Sequence, residues 1–275
     1  MRVRRRYLPP GWYPGAEEKA RQAIAGMEKS VRPGPTQGIA GIVPHAGWEF
    51  SGGIAFEVLS RISRSMDTIV IIGGHLGPAD GILCAFEDFY ETPFGQLAAD
   101  MDLLAAVRAA VPVAEDRTAD NTVEVQLPFV KYLFPNAMVL GMRASPSRDA
   151  DRLGKALAAA AGALGRRAAA IGSTDLTHYG LSYGFAPAGA GNKALRWMRE
   201  VNDHRFIQSV LAMDFDAALD RALREKSACS AGGALAALTF ARENGVKEGH
   251  LVRYSTSYDV HPGDSFVGYA GILYS

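Results

Sequence analysis

The chain has 275 residues, of which 48% are apolar and 21% are charged, a balance that excludes intrinsically disordered and collagen-like proteins. Lysine and arginine together number 29, as do aspartate and glutamate, so the formal net charge is zero. No overall electrostatic field attracts nucleic acid or an anionic membrane, and we expect neither as a partner. The longest mostly apolar stretch, residues 156–164, is too short to span a bilayer.

The N-terminal segment and the cysteines bear on the cellular compartment. The basic segment 2–6 is followed by prolines rather than by an apolar stretch, which is not the pattern of a secretory signal peptide. Two cysteines, Cys84 and Cys229, are too few for a disulfide framework. We therefore expect a cytoplasmic protein with reduced thiols.

Strand and helix patterns alternate along the chain. In chain order, they predict a helix over 17–30, a strand over 38–43, a helix over 52–62, strands over 68–72 and 81–86, a loop over 90–95, helices over 98–111 and 122–133, a strand over 137–142, a helix over 149–164, a strand over 168–172, helices over 192–211, 214–225 and 231–244, and strands over 251–255 and 266–273. The alternation predicts an α/β three-layer sandwich, in which helices flank a central, mostly parallel mixed sheet. No linker long enough to separate two domains is present, so we expect residues 1–275 to form one domain. The longest irregular segment, residues 177–191, has the length of a functional lid.

Three predicted strands end directly before a side chain that can bind a ligand. These apolar runs lead to His45, to His75, and to Asp175 with His178 three residues later. In open α/β sheets, ligands bind in the crevice beyond the carboxyl ends of the strands. A single strand-end histidine is more often a cap or a core residue, but three such strand ends are hard to attribute to capping. We therefore expect the four side chains to converge.

Cys229 lies in a segment rich in glycine and serine, just before the helix predicted over 231–244. Backbone amides and the helix dipole favour a thiolate at a helix N-terminus, which suits metal binding or nucleophilic attack. The alternative is a small residue buried in a closely packed segment, and the residues alone do not decide between the two.

Two histidines and one cysteine make a three-ligand site with open positions for water or substrate. Imidazole suits iron, zinc and copper, and a thiolate excludes magnesium and calcium. Asp175 is then either a fourth ligand or the group that orients His178, which would act as general acid and base.

Other polar candidates receive structural interpretations. His204 lies in a helical pattern, and His250 and His261 lie in loop-like contexts. Cys84 belongs to a strand-like run and is expected to be buried. Glu124 faces either the site or the solvent, and composition does not decide which.

Several segments match motifs of a known family. They are Gly11-Trp-Tyr-Pro14, Pro44-His-Ala-Gly-Trp-Glu-Phe-Ser-Gly52, Ile72-Gly-Gly-His75, Thr92-Pro-Phe-Gly95, Glu124-Val-Gln-Leu-Pro-Phe129, Ser173-Thr-Asp-Leu-Thr-His-Tyr-Gly180, Cys229, and a tail from Tyr254-Ser-Thr-Ser257 to Val267-Gly-Tyr-Ala-Gly271. In this order, the segments resemble the Memo family, also known as protein B of the AmmeMemoRadiSam system, which is similar in structure to class III extradiol dioxygenases.

The resemblance implies a metal site built from His45, His75 and Cys229, with Asp175 and His178 lining the same pocket. It also implies a radical-SAM protein and an AMMECR1-like protein as partners.

Two departures from the family pattern concern the site. Asn121 stands where the family usually has a histidine, and an amide cannot carry protons near pH 7. Two glycines precede His75 where the family commonly has proline and asparagine or serine. The first departure bears on dioxygenase chemistry more than on metal binding.

Three functions follow from these residues. The leading hypothesis is a non-haem Fe(II) protein, with zinc or copper as alternative metals, that carries out dioxygenase-like or other oxidation of an unidentified small molecule. The second is a Cys/His hydrolase or transferase with Cys229 as nucleophile and His178 as base. The third is a non-catalytic scaffold that binds a metal, an anion or a peptide in the same pocket.

Overall fold

The structure is a computed structural model that describes residues 1–275. The strands are β1 (Val3–Arg4), β2 (Ala40–Val43), β3 (Thr68–Gly73), β4 (Ile82–Cys84), β5 (Phe89–Thr92), β6 (Gly95–Ala98), β7 (Ala114–Glu115), β8 (Met138–Ala144), β9 (Ala168–Ser173), β10 (His178–Tyr179), β11 (His250–Thr256) and β12 (Phe266–Tyr274). The α-helices are α1 (Glu17–Glu28), α2 (Gly53–Ser60), α3 (Met101–Ala110), α4 (Asn121–Glu124), α5 (Leu127–Leu133), α6 (Arg148–Ala163), α7 (Gly191–Trp197), α8 (His204–Leu211), α9 (Phe215–Glu225) and α10 (Ala231–Glu243). None of these helices combines the length and the apolar character that crossing a membrane requires.

A nine-stranded mixed sheet forms the centre of the molecule. Its order is β10-β12-β2-β9-β3-β8-β4-β7, and β11 pairs with β12. The four central strands β2, β9, β3 and β8 run parallel, whereas β12 and β4 join them antiparallel on either side. The strands β2, β3 and β9 are buried along their whole length and mostly apolar, because helices cover both of their faces.

The two faces of the sheet pack against different helices. In β3, Val70 and Ile72 belong to a buried cluster that includes α3, α6, α8, α9 and α10. Ile69 and Ile71 point to the opposite face, where the buried cluster includes α1, α2 and α5. This alternation follows the two-residue period of a strand. The predicted three-layer sandwich and its mostly parallel mixed sheet are therefore confirmed.

Two predicted loops contain strands. The segment predicted as a loop over 90–95 lies within a hairpin formed by β5 and β6. Strand β1 pairs with β5, and the three strands form a separate small sheet. The turn of the hairpin depends on Gly95, whose φ is +97°, and on the Thr92 hydroxyl, which bonds the Gly95 carbonyl. The irregular segment 177–191 contains β10, which extends the sheet beside β12.

Two predicted helices are interrupted. The helix predicted over 122–133 divides into α4 and α5 because Pro128 has no backbone N–H and takes one of the first positions of α5. The helix predicted over 192–211 contains a π-helical stretch between α7 and α8.

Candidate metal centre

The predicted convergence of strand ends is present. The strands β2, β9 and β3 are parallel neighbours, with Val43 paired to Ser173 and Ile72 paired to Gly172. The residues that follow these strands therefore leave the same edge of the sheet at the same level. His45 follows β2, Asp175 follows β9 and His75 follows β3.

Cys229 reaches this edge from the loop before α10. Its backbone N–H donates to the carbonyl of Asp175 at 3.1 Å. The helix lies unusually close to the sheet, since a Cβ placed on Gly172 would lie 2.6 Å from the Cα of Ala234. Glycine at this position thus permits the approach that brings the thiol to the strand ends.

The donor atoms of His45, His75 and Cys229 all lie within 4.8 Å of one another. The Cys229 sulfur lies 3.2 Å from Nε2 of His45. In a tetrahedral site with ordinary metal–nitrogen and metal–sulfur bonds, such donors are roughly 3.5 Å apart. The three side chains are therefore arranged closely enough to share one ion. Their assignment as metal ligands stays a prediction.

His45 is buried and held mainly through its backbone. Its side chain is 2% exposed, and its backbone N–H donates to Oδ1 of Asp175 at 2.7 Å. Nδ1 of the ring lies 3.3 Å from the hydroxyl of Ser173. Asn121, the residue that replaces the family histidine, donates its amide to the His45 carbonyl at 3.1 Å. In this chain Asn121 supports the loop that carries a candidate ligand.

His75 is more exposed and held by charged groups. Its backbone takes the left-handed conformation, with φ at +57°, and its side chain is 37% exposed. Nδ1 lies 3.1 Å from Oδ2 of Asp120, which leaves Nε2 free to face Cys229. Arg143 approaches the same carboxylate at 3.5 Å and forms two hydrogen bonds of 2.8 Å with Asp116.

The site favours a thiolate. Burial opposes the charged form of Cys229, but the imidazoles of His45, His178 and His75 outweigh it and hold the pKa of the thiol well below its usual value. Burial likewise disfavours protonation of His45, yet Asp175 and Cys229 raise its pKa to about 9. This charge pattern suits both a soft metal ligand and a nucleophile.

His178 and Asp175 flank the three donors without bonding to each other. Nε2 of His178 is buried and has no hydrogen-bond partner, although the ring lies close enough to Cys229 for the thiolate to raise the pKa of His178 against the effect of burial. Burial raises the pKa of Asp175, whose carboxylate accepts the backbone N–H of His45. Asp175 therefore positions His45 in the structure, and no contact of Asp175 orients His178.

An open cleft of about 520 Å³ leads to the histidines from solvent. We call it the front cleft; its lining residues are Trp12, His45, Ala46, Gly47, Phe50, His75, Asn121, Asp175, His178, Tyr183, Ser257, His261, Ser265, Val267 and Tyr269. Sequence reasoning gave His261 a structural role, but the residue stands at the edge of this cleft and contacts Glu49 at 2.9 Å. The position of His261 in a turn next to the last strand was the sequence feature that could have placed it near the site.

Glu124 belongs to neither of the two environments that the sequence left open. Its carboxylate accepts the backbone N–H groups of Tyr7 and Leu8 and the hydroxyl of Tyr13. It thereby anchors the N-terminal segment that brings Trp12 to the front cleft. Cys84 is fully buried, and burial raises the pKa of its thiol, as expected for a core residue.

Comparison with known proteins decides the family. The family described as Memo-like protein matches residues 5–273. The chain belongs to the Memo family. It is 32% identical to a MEMO1 family protein of Thermococcus onnurineus over 252 residues, which cover 86% of each chain. It is 33% identical to one of Pyrococcus abyssi over 253 residues, or 85% of this chain and 86% of the relative. A further MEMO1 family protein, from Methanococcoides burtonii, is 32% identical over 86% of each chain.

The resemblance to the Memo family that the motifs indicated is thus confirmed over nearly the whole chain. Several of the Memo motifs meet in space, because Trp12, His45, His75, His178 and Tyr269 all line the front cleft. The motif around Glu124 does not line the front cleft; Glu124 instead holds the N-terminal segment by hydrogen bonds.

Proposed function

We propose that this Memo-family chain binds a transition metal through His45, His75 and Cys229 and uses it to oxidise a small molecule, with dioxygen as the oxidant. Iron is the first choice and copper is the redox-active alternative; zinc also fits these donors, but it has no redox chemistry and would support only a non-redox function. The observation that carries the proposal is the approach of the three donor atoms to within 4.8 Å, where the ends of β2 and β3 meet the loop before α10. An imidazole–thiolate donor set matches these metals and not magnesium or calcium.

When bound, iron would supply redox chemistry and Lewis acidity to a molecule in the front cleft. Side chains of the protein itself would exchange a proton with the substrate and bind its apolar part. His178 lines the cleft and has an unpartnered Nε2, so it can accept or return a proton at that atom. The aromatic side chains Trp12, Phe50 and Tyr269 line the same cleft and supply apolar surface for a small organic substrate.

The first experiment is elemental analysis of protein purified without oxygen. We expect stoichiometric iron in the wild type and its loss in His45→Ala, His75→Ala and Cys229→Ala. His250→Ala, which alters a histidine on β11, is the matched control and should keep its metal. Full metal content in any of the three ligand variants would contradict the ligand set.

Catalysis is tested separately from binding. His178→Ala should retain iron but lose turnover, because the proposed proton carrier is removed while the three donors remain. A scaffold function predicts instead that the biological role survives this substitution. Aerobic assays on catechols address the dioxygenase version, and absence of turnover in iron-loaded protein would exclude catechols as substrates.

A second candidate is a Cys/His nucleophile. It is favoured by the 3.2 Å contact between the Cys229 sulfur and His45 and by the lowered pKa of the thiol. This function predicts that Cys229 alkylates rapidly in metal-free protein and that the substrate protects it. Turnover by protein depleted of all metal would favour it over the redox proposal.

A further inference from the structure

A second cleft, distinct from the front cleft, reaches Cys229. We call this space of about 350 Å³ the back cleft; it is lined by Leu176, His178, Tyr183, Phe185, Ala222, Lys226, Ala228 and Cys229. The thiol lines the back cleft, whereas the front cleft is lined by the two histidines and lacks the thiol. The candidate metal centre therefore has two separate approaches.

His178 and Tyr183 form the wall between the two clefts, since both residues line both spaces. Their rings meet edge to face, with centroids 4.9 Å apart. A ligand in the back cleft would thus contact the proposed proton carrier and the sulfur from one side, while the front cleft stays open to a different molecule.

The back cleft combines mostly apolar walls with one lysine. Its walls are mostly apolar, with Leu176, Phe185 and Ala222 among them. Lys226 is its only lysine or arginine; it is exposed, it forms no ion pair, and its Nζ lies 5.4 Å from the centre of the Phe185 ring. The backbone of Lys226 ends α9 in the left-handed conformation, with φ at +52°.

We propose that the back cleft is a second ligand site, which takes a small monocarboxylate with an apolar body. The carboxylate lies at the ammonium group of Lys226, and the apolar end lies toward Cys229 and His178. The opposite orientation would place the anion beside the thiolate and leave the Lys226 ammonium without a partner. An amine would be repelled by Lys226, and a phosphate dianion would find one cationic donor where such groups usually find several.

Thiol modification tests this proposal, because Cys84 is fully buried and Cys229 is the other cysteine. Full-length protein in a chelator is treated with 3-maleimidopropionate or with its neutral amide, and the labelled residue is identified by mass spectrometry. Lys226→Gln should lower the ratio of the charged to the neutral rate constant about threefold at low ionic strength, the effect of one charge at roughly 6 Å in water. An unchanged ratio would overturn the proposal.

A matched pair of variants tests the route of entry. Ala228→Leu narrows the back cleft beside Cys229, and Ala46→Leu narrows the front cleft beside His45. Labelling by both maleimides should slow at least fivefold in Ala228→Leu and stay within twofold of the wild type in Ala46→Leu. The reverse result would show that reagents enter through the front cleft and would overturn the proposal.

A protection experiment needs no change to the packing. Butyrate should protect Cys229 of the wild type from the neutral maleimide more than butyramide does, and Lys226→Gln should abolish this difference. Equal protection by both probes in the wild type would contradict a carboxylate site. Because the protein is metal-free throughout, these results are independent of the metal proposal.

Discussion

His45 and His75 reach one site from strand ends on either side of β9, yet they are supported in different ways. His45 is buried, its backbone is bonded to Asp175, and its ring contacts a neutral hydroxyl. His75 is partly exposed, and its ring contacts the Asp120 carboxylate. His45 is thus held mainly through the hydrogen bond of its backbone in a buried loop, whereas the ring of His75 is held by a network of charged side chains. Stability and metal affinity should therefore respond differently to substitutions on the two sides.

The largest expected effect concerns Arg143, which links Asp116 and Asp120 behind His75. Arg143 and Asp116 are each 7% exposed. Arg143→Leu removes two hydrogen bonds of 2.8 Å to the buried Asp116 carboxylate, which keeps Arg4 at 3.8 Å and the Thr118 hydroxyl, so the free energy of unfolding should fall by about 3 kcal/mol in urea denaturation, the lower end of the range for a broken buried ion pair. Arg117→Leu, which removes an arginine that is 83% exposed, should cost about 1 kcal/mol or less. Equal effects of the two substitutions would refute the importance of the buried network.

The loop after β9, the third strand end, adds a pH-dependent test of stability, because Thr177 in this loop contacts the buried Asp203. Asp203 is fully buried, and burial raises its pKa from 3.8 to about 6 although Thr177 and Tyr254 donate hydrogen bonds to it. Because the folded-state pKa lies above the unfolded value, the stability that this group contributes is present below pH 3.8 and is lost as the pH rises through 6.

Relative to Asp203→Asn, the free energy of unfolding of the wild type should therefore fall by about 2 kcal/mol between pH 4 and pH 7. Urea denaturation of both proteins across this range measures the difference. Parallel pH profiles would mean that Asp203 ionises as readily in the folded chain as in the unfolded chain.

On the His75 side, Asp120→Asn should weaken metal binding. The neutral amide oxygen accepts the hydrogen bond from Nδ1–H of His75 more weakly than a carboxylate does, so the ring loses basicity and is oriented less firmly. Loss of such a partner typically costs 10–100-fold in metal affinity. Competition with a chromophoric chelator measures the change, and an affinity within twofold of the wild type would contradict the assigned role of Asp120.

On the His45 side, Ser173→Ala should have the smallest effect. Its hydroxyl contacts Nδ1 of His45 at 3.3 Å, but Asp175 still fixes the backbone of the loop. We expect a loss of affinity below about tenfold, smaller than that of Asp120→Asn in the same competition assay. A larger loss in Ser173→Ala would reverse the comparison between the two imidazoles.

The strand ends could be predicted because His45, His75 and Asp175 each follow an uninterrupted apolar run. Placement along the sheet needed only the rule that parallel strands end at one edge. Cys229 could be located just before its helix, but its distance from the imidazoles depends on the close approach of α10 to the sheet at Gly172. That approach is a three-dimensional property that the pattern of residues does not reveal.

The network behind His75 escaped sequence reasoning. Arg143 lies near the end of β8, paired with Gly73 of β3, so it occupies the same edge of the sheet as the candidate ligands. The rule that ligand-binding side chains follow the ends of parallel strands would also have pointed to Arg143 near the end of β8. Its acidic partners Asp116 and Asp120 lie in a loop, where no periodicity indicates which charges become buried. The two-residue strands β1 and β7 were missed because such short segments carry no pattern.

The central claim is that two imidazoles and one thiolate bind a single ion, and X-ray absorption at the metal edge tests it most directly. For the wild type purified without oxygen, we predict one sulfur neighbour at roughly 2.3 Å together with nitrogen neighbours at shorter distance. In Cys229→Ser the sulfur neighbour should be absent. A metal in the wild type surrounded only by nitrogen and oxygen would contradict the account.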